Sequence, residues 1–574
     1  MANGRHVVLG GLRVSLLGCV ALAACNYRVL VGNGLGVVAV APANGAGLGL
    51  AAGPGQALRW RASSPADRYQ LQVDDSCASP ATCTFPSPEI DEPALTTPSY
   101  VPAPGALPYS TSAPVGRRYY WRVRACAGDD CGEWSVPRYV VAGRAAGALN
   151  TDVNGDGYPD LVVGAPQSSA VVQMGGQLFI YLGGPTLSST PAAVISSDLI
   201  FDGLGSTVAM VGDVNGDGYG DFVAKTIGNE STPNVVPAPR ALLFLGGATL
   251  PTQPAFAFTA GITNDDNTAA AGIGDVNGDG YDDFAVGGAT ISPNRTAVEP
   301  GFVQIYRGGP TFTDHADLTL SGSTQEFFGA SIAGAGDVNG DGYPDLVVGS
   351  HEGASRVYVY FGGPSMDDTA DVTLDPPQAT AGYFGFSVAL PGDLDGDGYD
   401  DVVVGAPGGE GAQALPAHAY VYFGGQHIHL TPDLAITSGL PGEWFAKIVA
   451  PAGDVNGDGF ADLAVVARGA YVPAIDGRVP TGRRVDVFFG GSSVATTAGV
   501  TVPSGTSDPS PRGFAAADLD GDGLPELITG RWATDYHGMS DVAIFRGQDG
   551  YASSPSLVLS GAAPGDFFGA KLGR

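Results

Sequence analysis

The sequence predicts an all-β protein: a seven-bladed β-propeller with acidic hairpin loops, preceded by a small β-sandwich. Three observations predict it. An acidic nine-residue motif recurs seven times at near-constant spacing, each copy runs directly into a short apolar strand, and 88 Gly with 43 Pro supply many tight turns in 574 residues. Glycine is at more than double its ordinary share of about 7% but keeps no three-residue period, which excludes a collagen. The formal charge of −31 comes from 27 Lys+Arg against 58 Asp+Glu. Such an excess argues against nucleic acid as a partner, because phosphates need basic side chains. A hydrophobic content of 44% excludes wholesale disorder, and 7 His leave little for a His-rich metal site.

Residues 1–24 read as an export signal. Arg5 and Arg13 precede an apolar run from Val14 to Ala24, too short to span a membrane. Leu22-Ala23-Ala24-Cys25 resembles a bacterial lipobox. The resemblance implies that Cys25 carries a lipid and anchors the exported chain at the cell envelope. Asn26, standing where Asp would retain the protein at the inner membrane, implies the outer membrane or cell surface. Residues 25–36 follow as a tether. Cys77, Cys83, Cys126 and Cys131 allow three disulfide connectivities, and the sequence does not choose among them. Their short spacings favour Cys77–Cys83 and Cys126–Cys131 in an oxidised compartment, and none is the Cys-x2-Cys of a zinc site.

Residues 37–143 read as the sandwich. Ala57–Trp60, Tyr69–Val73 and Tyr119–Arg124 alternate apolar and polar side chains, as half-buried strands do. Trp60, the Tyr120-Trp121-Arg122-Val123 strand and Gly132-Glu133-Trp134-Ser135 resemble a fibronectin type III domain, which implies a fold rather than an activity. Its expected role is a spacer between the membrane and the next domain.

Residues 148–574 repeat. The motif Asp-x-Asn/Asp-x-Asp-Gly-x-x-Asp/Glu starts at Asp152, Asp213, Asp275, Asp337, Asp393, Asp454 and Asp518. Each copy leads into a run such as Leu161-Val162-Val163-Gly164, then a second strand ending in Gly-Gly, as at Gly183-Gly184. A unit of this size suits one four-stranded blade, and seven suit a closed ring. The first copy lacks the strand that precedes the motif elsewhere, whereas the chain ends in Asp566-Phe567-Phe568-Gly569-Ala570-Lys571-Leu572. The C-terminus is therefore expected to supply that strand and close the ring, leaving no long unpaired sheet edge.

Phe384-Gly385, the Asp-Val-Asn-Gly-Asp-Gly-Tyr loops, and Gly164-Ala165-Pro166 or Gly405-Ala406-Pro407 resemble the FG-GAP repeat of integrin α-subunit propellers and their bacterial relatives. The second and sixth copies depart from it with Leu204-Gly205 and Phe445-Ala446, and the seventh lacks the dipeptide. The resemblance implies a calcium-binding adhesion propeller. No integrin leg region or inserted von Willebrand-type domain is recognisable, so heterodimeric signalling is not carried over.

Several side-chain oxygens within nine residues suit a hard cation. Positions 1, 3, 5 and 9 give side-chain oxygens, position 7 its carbonyl, and Gly at position 6 allows the sharp turn. The first loop offers Asp152, Asn154, Asp156, Tyr158 and Asp160; the second Asp213, Asn215, Asp217, Tyr219 and Asp221. The third offers Asp275, Asn277, Asp279, Tyr281 and Asp283; the fourth Asp337, Asn339, Asp341, Tyr343 and Asp345. The fifth offers Asp393, Asp395, Asp397, Tyr399 and Asp401; the sixth Asp454, Asn456, Asp458, Phe460 and Asp462. The seventh offers Asp518, Asp520, Asp522, Leu524 and Glu526. All-oxygen sets of this size favour Ca²⁺ over zinc, copper or the strictly octahedral Mg²⁺. Their 23 carboxylates would repel one another if no cation were bound. Up to seven structural Ca²⁺ are expected, the tightest in the fifth loop.

A catalytic site needs one asymmetric constellation. His427 and His429, read as sharing one strand face, could touch a metal. Glu443-Trp444 and His351 stand in loops without a recognisable nucleophile or base partner, and no Gly-x-Ser-x-Gly, P-loop or His-Glu-x-x-His occurs. The expectation is a non-enzymatic surface lipoprotein that binds a protein or glycan in adhesion through one propeller face. The alternatives are a structural envelope-assembly component and a propeller-type polysaccharide-active enzyme.

Overall fold

The computed structural model describes residues 39–573 apart from 42–46, 49–57, 61–65, 78–82, 104–105, 111–116, 136, 143–148, 229–237, 260–268, 289–299, 324–325, 352, 379–381, 409–414, 439–442, 468–482, 505–512, 532–539, 562, 564 and 570. The export signal, Cys25 and the tether lie outside the described residues.

The N-terminal unit is two sheets around one core. A three-stranded sheet of Ala39–Ala41, Leu58–Trp60 and Ser99–Tyr100 faces a larger one. The larger sheet runs in the order Gly47–Leu48, Arg138–Ala142, Arg117–Ala127, Arg68–Asp74 and Ile90–Leu95, with Asp130–Cys131 beside Arg117–Ala127. Strand alternation makes the core: Tyr119, Trp121, Val123 and Ala125 point inward to Leu58, Trp60, Leu71 and Val73. Arg118, Tyr120, Arg122 and Arg124 therefore occupy the outer face. There Arg122 lies between the rings of Phe85 and Trp134, at 4.2 and 4.5 Å from their centroids. Disulfides join Cys77 to Cys83 and Cys126 to Cys131.

From residue 149 onward the described chain forms seven antiparallel four-stranded sheets of a β-propeller. In one of them Leu161–Ala165 pairs with Gln177–Tyr181 on one side and with the C-terminal strand Lys571–Leu572 on the other. The first strands Thr207–Gly212, Ala270–Gly274, Phe328–Gly336, Ser387–Ala389, Ile448–Gly453, Phe514–Ala517 and Lys571–Leu572 neighbour one another in sequence order, and the last neighbours the first. They are the inner wall of a closed circle.

Packing explains why the second strands are continuous apolar runs. Leu161, Val163 and Ala165 pack with Ile528, Val542 and Ile544 of the last sheet, while Val162 packs with Val208, Met210 and Phe222 of the next. Each sheet is thus buried on both faces, so no polar alternation survives. The outermost strands, such as Leu557–Ser560, keep alternate residues exposed. Full burial of one Val, Leu or Phe is worth about 1.5–3 kcal/mol, and every gap between neighbouring sheets holds its own cluster of such side chains.

The Gly residues of the motif are close-approach points. A Cβ on Gly164 would overlap the carbonyl oxygen of Gly205 in the next sheet, and Gly205 itself has φ +90°. The same pairing joins Gly530 to Gly569 near the C-terminus, and Gly569 N donates to Gly164 O at 3.1 Å.

Candidate functional site

Each acidic loop leads into the second strand of a sheet, six of them from the first strand of the same sheet, so all seven lie at one end of the ring. Their backbone is folded by their own side chains. In the first loop Asp152 Oδ1 accepts from Gly155 N and Asp156 N at 2.7 and 3.0 Å, and its Oδ2 from Gly157 N at 2.7 Å. Asp156 Oδ1 accepts from Tyr158 N at 3.0 Å, fixing the residue whose carbonyl is the expected ligand. The other loops repeat this pattern in whole or in part, as at Asp393, whose Oδ1 and Oδ2 take Gly396, Asp397 and Gly398 N–H groups.

The ninth position is a keystone. In all seven loops one of its oxygens accepts the N–H of the second position at 2.7–3.0 Å. Six Asp use the other oxygen to accept the first N–H of the following Gly-Gly, from Gly183, Gly246, Gly308, Gly362, Gly424 and Gly490, at 2.7–2.9 Å. The second Gly of each pair reaches back to the preceding loop, as Gly247 N does to Val153 O and Gly184 N to Leu519 O, at 2.8 and 2.7 Å. The Gly-Gly signature is therefore the seam between consecutive loops. Glu526 Oε1, in the seventh loop, is buried without a hydrogen-bond partner among the described residues.

Two loops bring three carboxylates to a point. Oxygens of Asp393, Asp395 and Asp401, and of Asp518, Asp520 and Glu526, lie within 4.8 Å of one another. The other five loops carry Asn at the third position. There the amide donates to the fifth-position Asp, as Asn154 Nδ2 does to Asp156 Oδ2 at 2.9 Å. A third acidic group, Asp74, Asp75 and Glu89, sits in the sandwich. Asp74 is spent on Ser76 and Ser87, and Asp75 on Arg117.

Comparison with known proteins matches these features. The FG-GAP-like repeat family fits residues 275–348, 337–404 and 454–529, and the FG-GAP repeat family fits 145–181. The chain is 30% identical to integrin alpha-5 of Xenopus laevis over 246 residues, 41% of this chain and 22% of that protein. It is 34% identical to integrin alpha-6 of Gallus gallus over 137 residues, 23% of this chain and 12% of that protein. It is 36% identical to integrin alpha-IIb of Mus musculus over 148 residues, 24% of this chain and 14% of that protein. The ring is an integrin-α-like FG-GAP propeller. This chain thus corresponds to a small fraction of those relatives' length.

Burial shapes the electrostatics of the FG-GAP loops. It pushes Asp275 and Asp393 up to about 7, Asp462 and Asp518 to about 6, and Glu526 to about 8, with neighbouring carboxylates adding to the effect. Asp160, Asp221, Asp283, Asp345 and Asp401 are pushed well above the usual range by the same cause. Carboxylates buried side by side at this cost are the donor chemistry of a hard divalent cation, and the preformed turns fit one.

The opposite end of the FG-GAP ring carries the connections from second to third strands and from each sheet to the next. Over three successive sheets these connections gather aromatic rings. His351 stacks on Phe327 at 5.2 Å and contacts Phe386 at 4.9 Å; Phe386 meets Trp444 at 6.2 Å, and Lys447 lies 5.1 Å from the Trp444 ring. Tyr383, 40% exposed, joins the group 6.4 Å from His351. Tyr383 and Trp444, each just before the Phe of the FG position, hold φ of +61° and +51°, strained for bulky side chains. The sequence signal was available: an aromatic one residue before the Phe. Glu443, fully buried, is bonded by Arg484.

The histidine pair is a correction. His427 and His429 do not share a strand face. Gly424-Gly425 ends the strand at Tyr422, and both lie in the bend before Leu434–Ile436, where His429 Nδ1 is 2.9 Å from Asp433 Oδ1.

Proposed function

We propose that this chain is a non-enzymatic, calcium-stabilised surface lipoprotein that binds a protein or glycan through the ring end opposite its acidic loops. The carrying observation is the aromatic group Phe327, His351, Tyr383, Phe386 and Trp444, assembled from three sheets with two of its members on strained backbone. Backbone strain beside an aromatic group whose Tyr383 faces solvent is a reason to look for a ligand there. Aromatic side chains with a polar edge serve protein and sugar partners alike.

In this reading the ring is seven-bladed, and each blade's loop holds a structural Ca²⁺ through positions 1, 3, 5, 7 and 9. The sandwich is of fibronectin type III kind, and Cys25 carries the lipid that keeps the protein at the bacterial envelope. Integrin-like repeats support adhesion as the role. The test is binding of the purified protein to glycan arrays and intact cells, with Tyr383→Ala and Trp444→Ala alongside. Loss of binding with unchanged melting supports the reading. Binding by neither wild type nor variants, with envelope damage on deletion, would replace adhesion by assembly.

A further inference from the structure

The outer face of the larger sandwich sheet is seated on the acidic-loop end of the ring. Arg118 Nη1 donates to Gly280 O in the third loop at 2.7 Å, and its guanidinium lies 4.4 Å from the centroid of Tyr139. Tyr139 OH donates to Asp282 Oδ1 at 3.2 Å. Arg138 Nη2 donates to Asp337 Oδ2, the first-position Asp of the fourth loop. Arg138, Tyr139, Asp282 and Asp337 are 3%, 2%, 7% and 6% exposed, so these polar contacts are largely shielded from water.

The loops beneath are tied to each other at the same place. Asp282 Oδ2 accepts from Asp213 N at 2.8 Å and Asp400 Oδ2 from Asp337 N at 2.7 Å. Only the third and fifth loops have Asp at the eighth position; the others have Pro159, Gly220, Pro344, Ala461 and Pro525. The two exceptional carboxylates therefore mark the loops next to, and under, the sandwich.

We propose that the sandwich is a built-in occupant of the acidic-loop end, clamped there by Arg118, Arg138 and Tyr139, and that its docking is linked to cation binding in the fourth loop through Asp337. The docking stands on the contacts alone; the linkage rests on the calcium reading above. A guanidinium and a Ca²⁺ that share one carboxylate repel each other, so each weakens the other by the same factor. The fourth loop is then the weakest site while the sandwich is docked, and the sandwich is a fixed cap, not a free spacer.

The test uses the full chain with Arg118→Gln/Arg138→Gln and, separately, Arg138→Gln. Small-angle scattering in EDTA reads docking without calcium: the double variant should have a larger radius of gyration than wild type at an unchanged ring melt. Equal radii would overturn the docking. Calorimetric calcium titration reads the linkage: Arg138→Gln should tighten one site by about tenfold. An unaltered isotherm would overturn the linkage and leave the docking result standing. Calcium uptake by neither protein would sink the calcium reading and the linkage together, while the EDTA comparison still decides docking. Should the double variant fail to fold, Arg138→Lys with Tyr139→Phe, which loses the planar guanidinium and the hydroxyl, carries both readouts.

Discussion

At the scale of single residues, the glycines of the repeat motif are steric requirements that can be tested one at a time. Gly164 is pressed against the carbonyl of Gly205 from the neighbouring sheet, so Gly164→Ala must push two backbones apart. We expect a loss of about 3 kcal/mol in a chemical-denaturation experiment; a cost near zero would mean the two strands do not touch as described. The sixth copy shows the tolerance of the partner position, since Ala446 stands there at φ +60°, a left-handed conformation that costs an L-residue about 1–2 kcal/mol. His351 makes a second residue-scale case. Burial among aromatic rings pulls it down to about 4, so the unfolded chain, with an ordinary His near 6.5, binds the proton first as pH falls. Its contribution to stability is complete above about 6.5 and is lost between there and about 4. The unfolding free energy of wild type should therefore fall relative to that of His351→Gln over this interval, and a constant difference would contradict the burial. The sequence displayed both residues but only one of their settings. Gly164 belongs to a repeated local pattern, whereas the neighbours of His351 come from three sheets and are brought together only by the ring.

At the scale of the loop, the acidic motif was legible because nearly all its bonds are local: the first, fifth and ninth positions satisfy N–H groups within seven residues of themselves. What the motif hides is its lateral wiring. The Gly-Gly that ends six of the third strands looks like turn punctuation, yet it carries the bonds to the ninth-position carboxylate and to the preceding loop. Asp160→Ala would leave Val153 N and Gly183 N without that acceptor, at about 1–3 kcal/mol for each donor that stays dry. The loss should appear in EDTA as well as in calcium, and a variant as stable as wild type in EDTA would show that the carboxylate serves the metal alone. Proton linkage gives the loops a second signature. Asp275 and Asp393 in the metal-free fold titrate at about 7, against about 3.9 in an unfolded chain. A raised value means that ionisation opposes the fold, so the penalty is complete above about 7 and is relieved as pH falls through it. Between pH 8 and 7, where His351 is largely neutral in both states, the melting temperature in EGTA should rise on acidification. The increment added by calcium should shrink over the same interval, because the cation needs ionised ligands. A metal-free melt that fell on acidification would show that these carboxylates are not buried.

At the scale of the whole molecule, the ring depends on its two ends meeting, and that is where its stability is most concentrated in few residues. The described C-terminal strand Lys571–Leu572 is short and makes few ladder bonds with Val163 and Gly164. Its anchor is the preceding Phe568, fully buried and edge-on to Phe179 and Tyr181 at 5.1 and 6.4 Å, beside Leu572 in the same cluster that joins the first sheet to the last. The aromatic anchor thus supplies what the ladder lacks. Phe568→Ala should cost about 3–5 kcal/mol, the usual range for removing a buried Phe. Deletion from Asp566 onward should do more than that. It strips Leu161–Ala165 of its inner partner and exposes an apolar, unpaired strand edge, which invites pairing between copies. We therefore expect the truncated protein to melt at lower temperature and to elute as concentration-dependent oligomers, while Phe568→Ala, which keeps the strand, stays monomeric at low concentration. The two variants separate packing from edge protection: a truncated protein that is both monomeric and as stable as wild type would mean that the first and last sheets hold together without the tail. The sandwich bears on the same balance from outside. Arg118 contacts the third loop and Arg138 the fourth, on sheets far round the ring from the seam, so losing the cap should leave the seam's melting contribution untouched. Phe568→Ala should therefore cost the ring the same, within about 0.5 kcal/mol, with or without Arg138→Gln, and a cost that changed with the cap would show that the two ends of the chain are coupled.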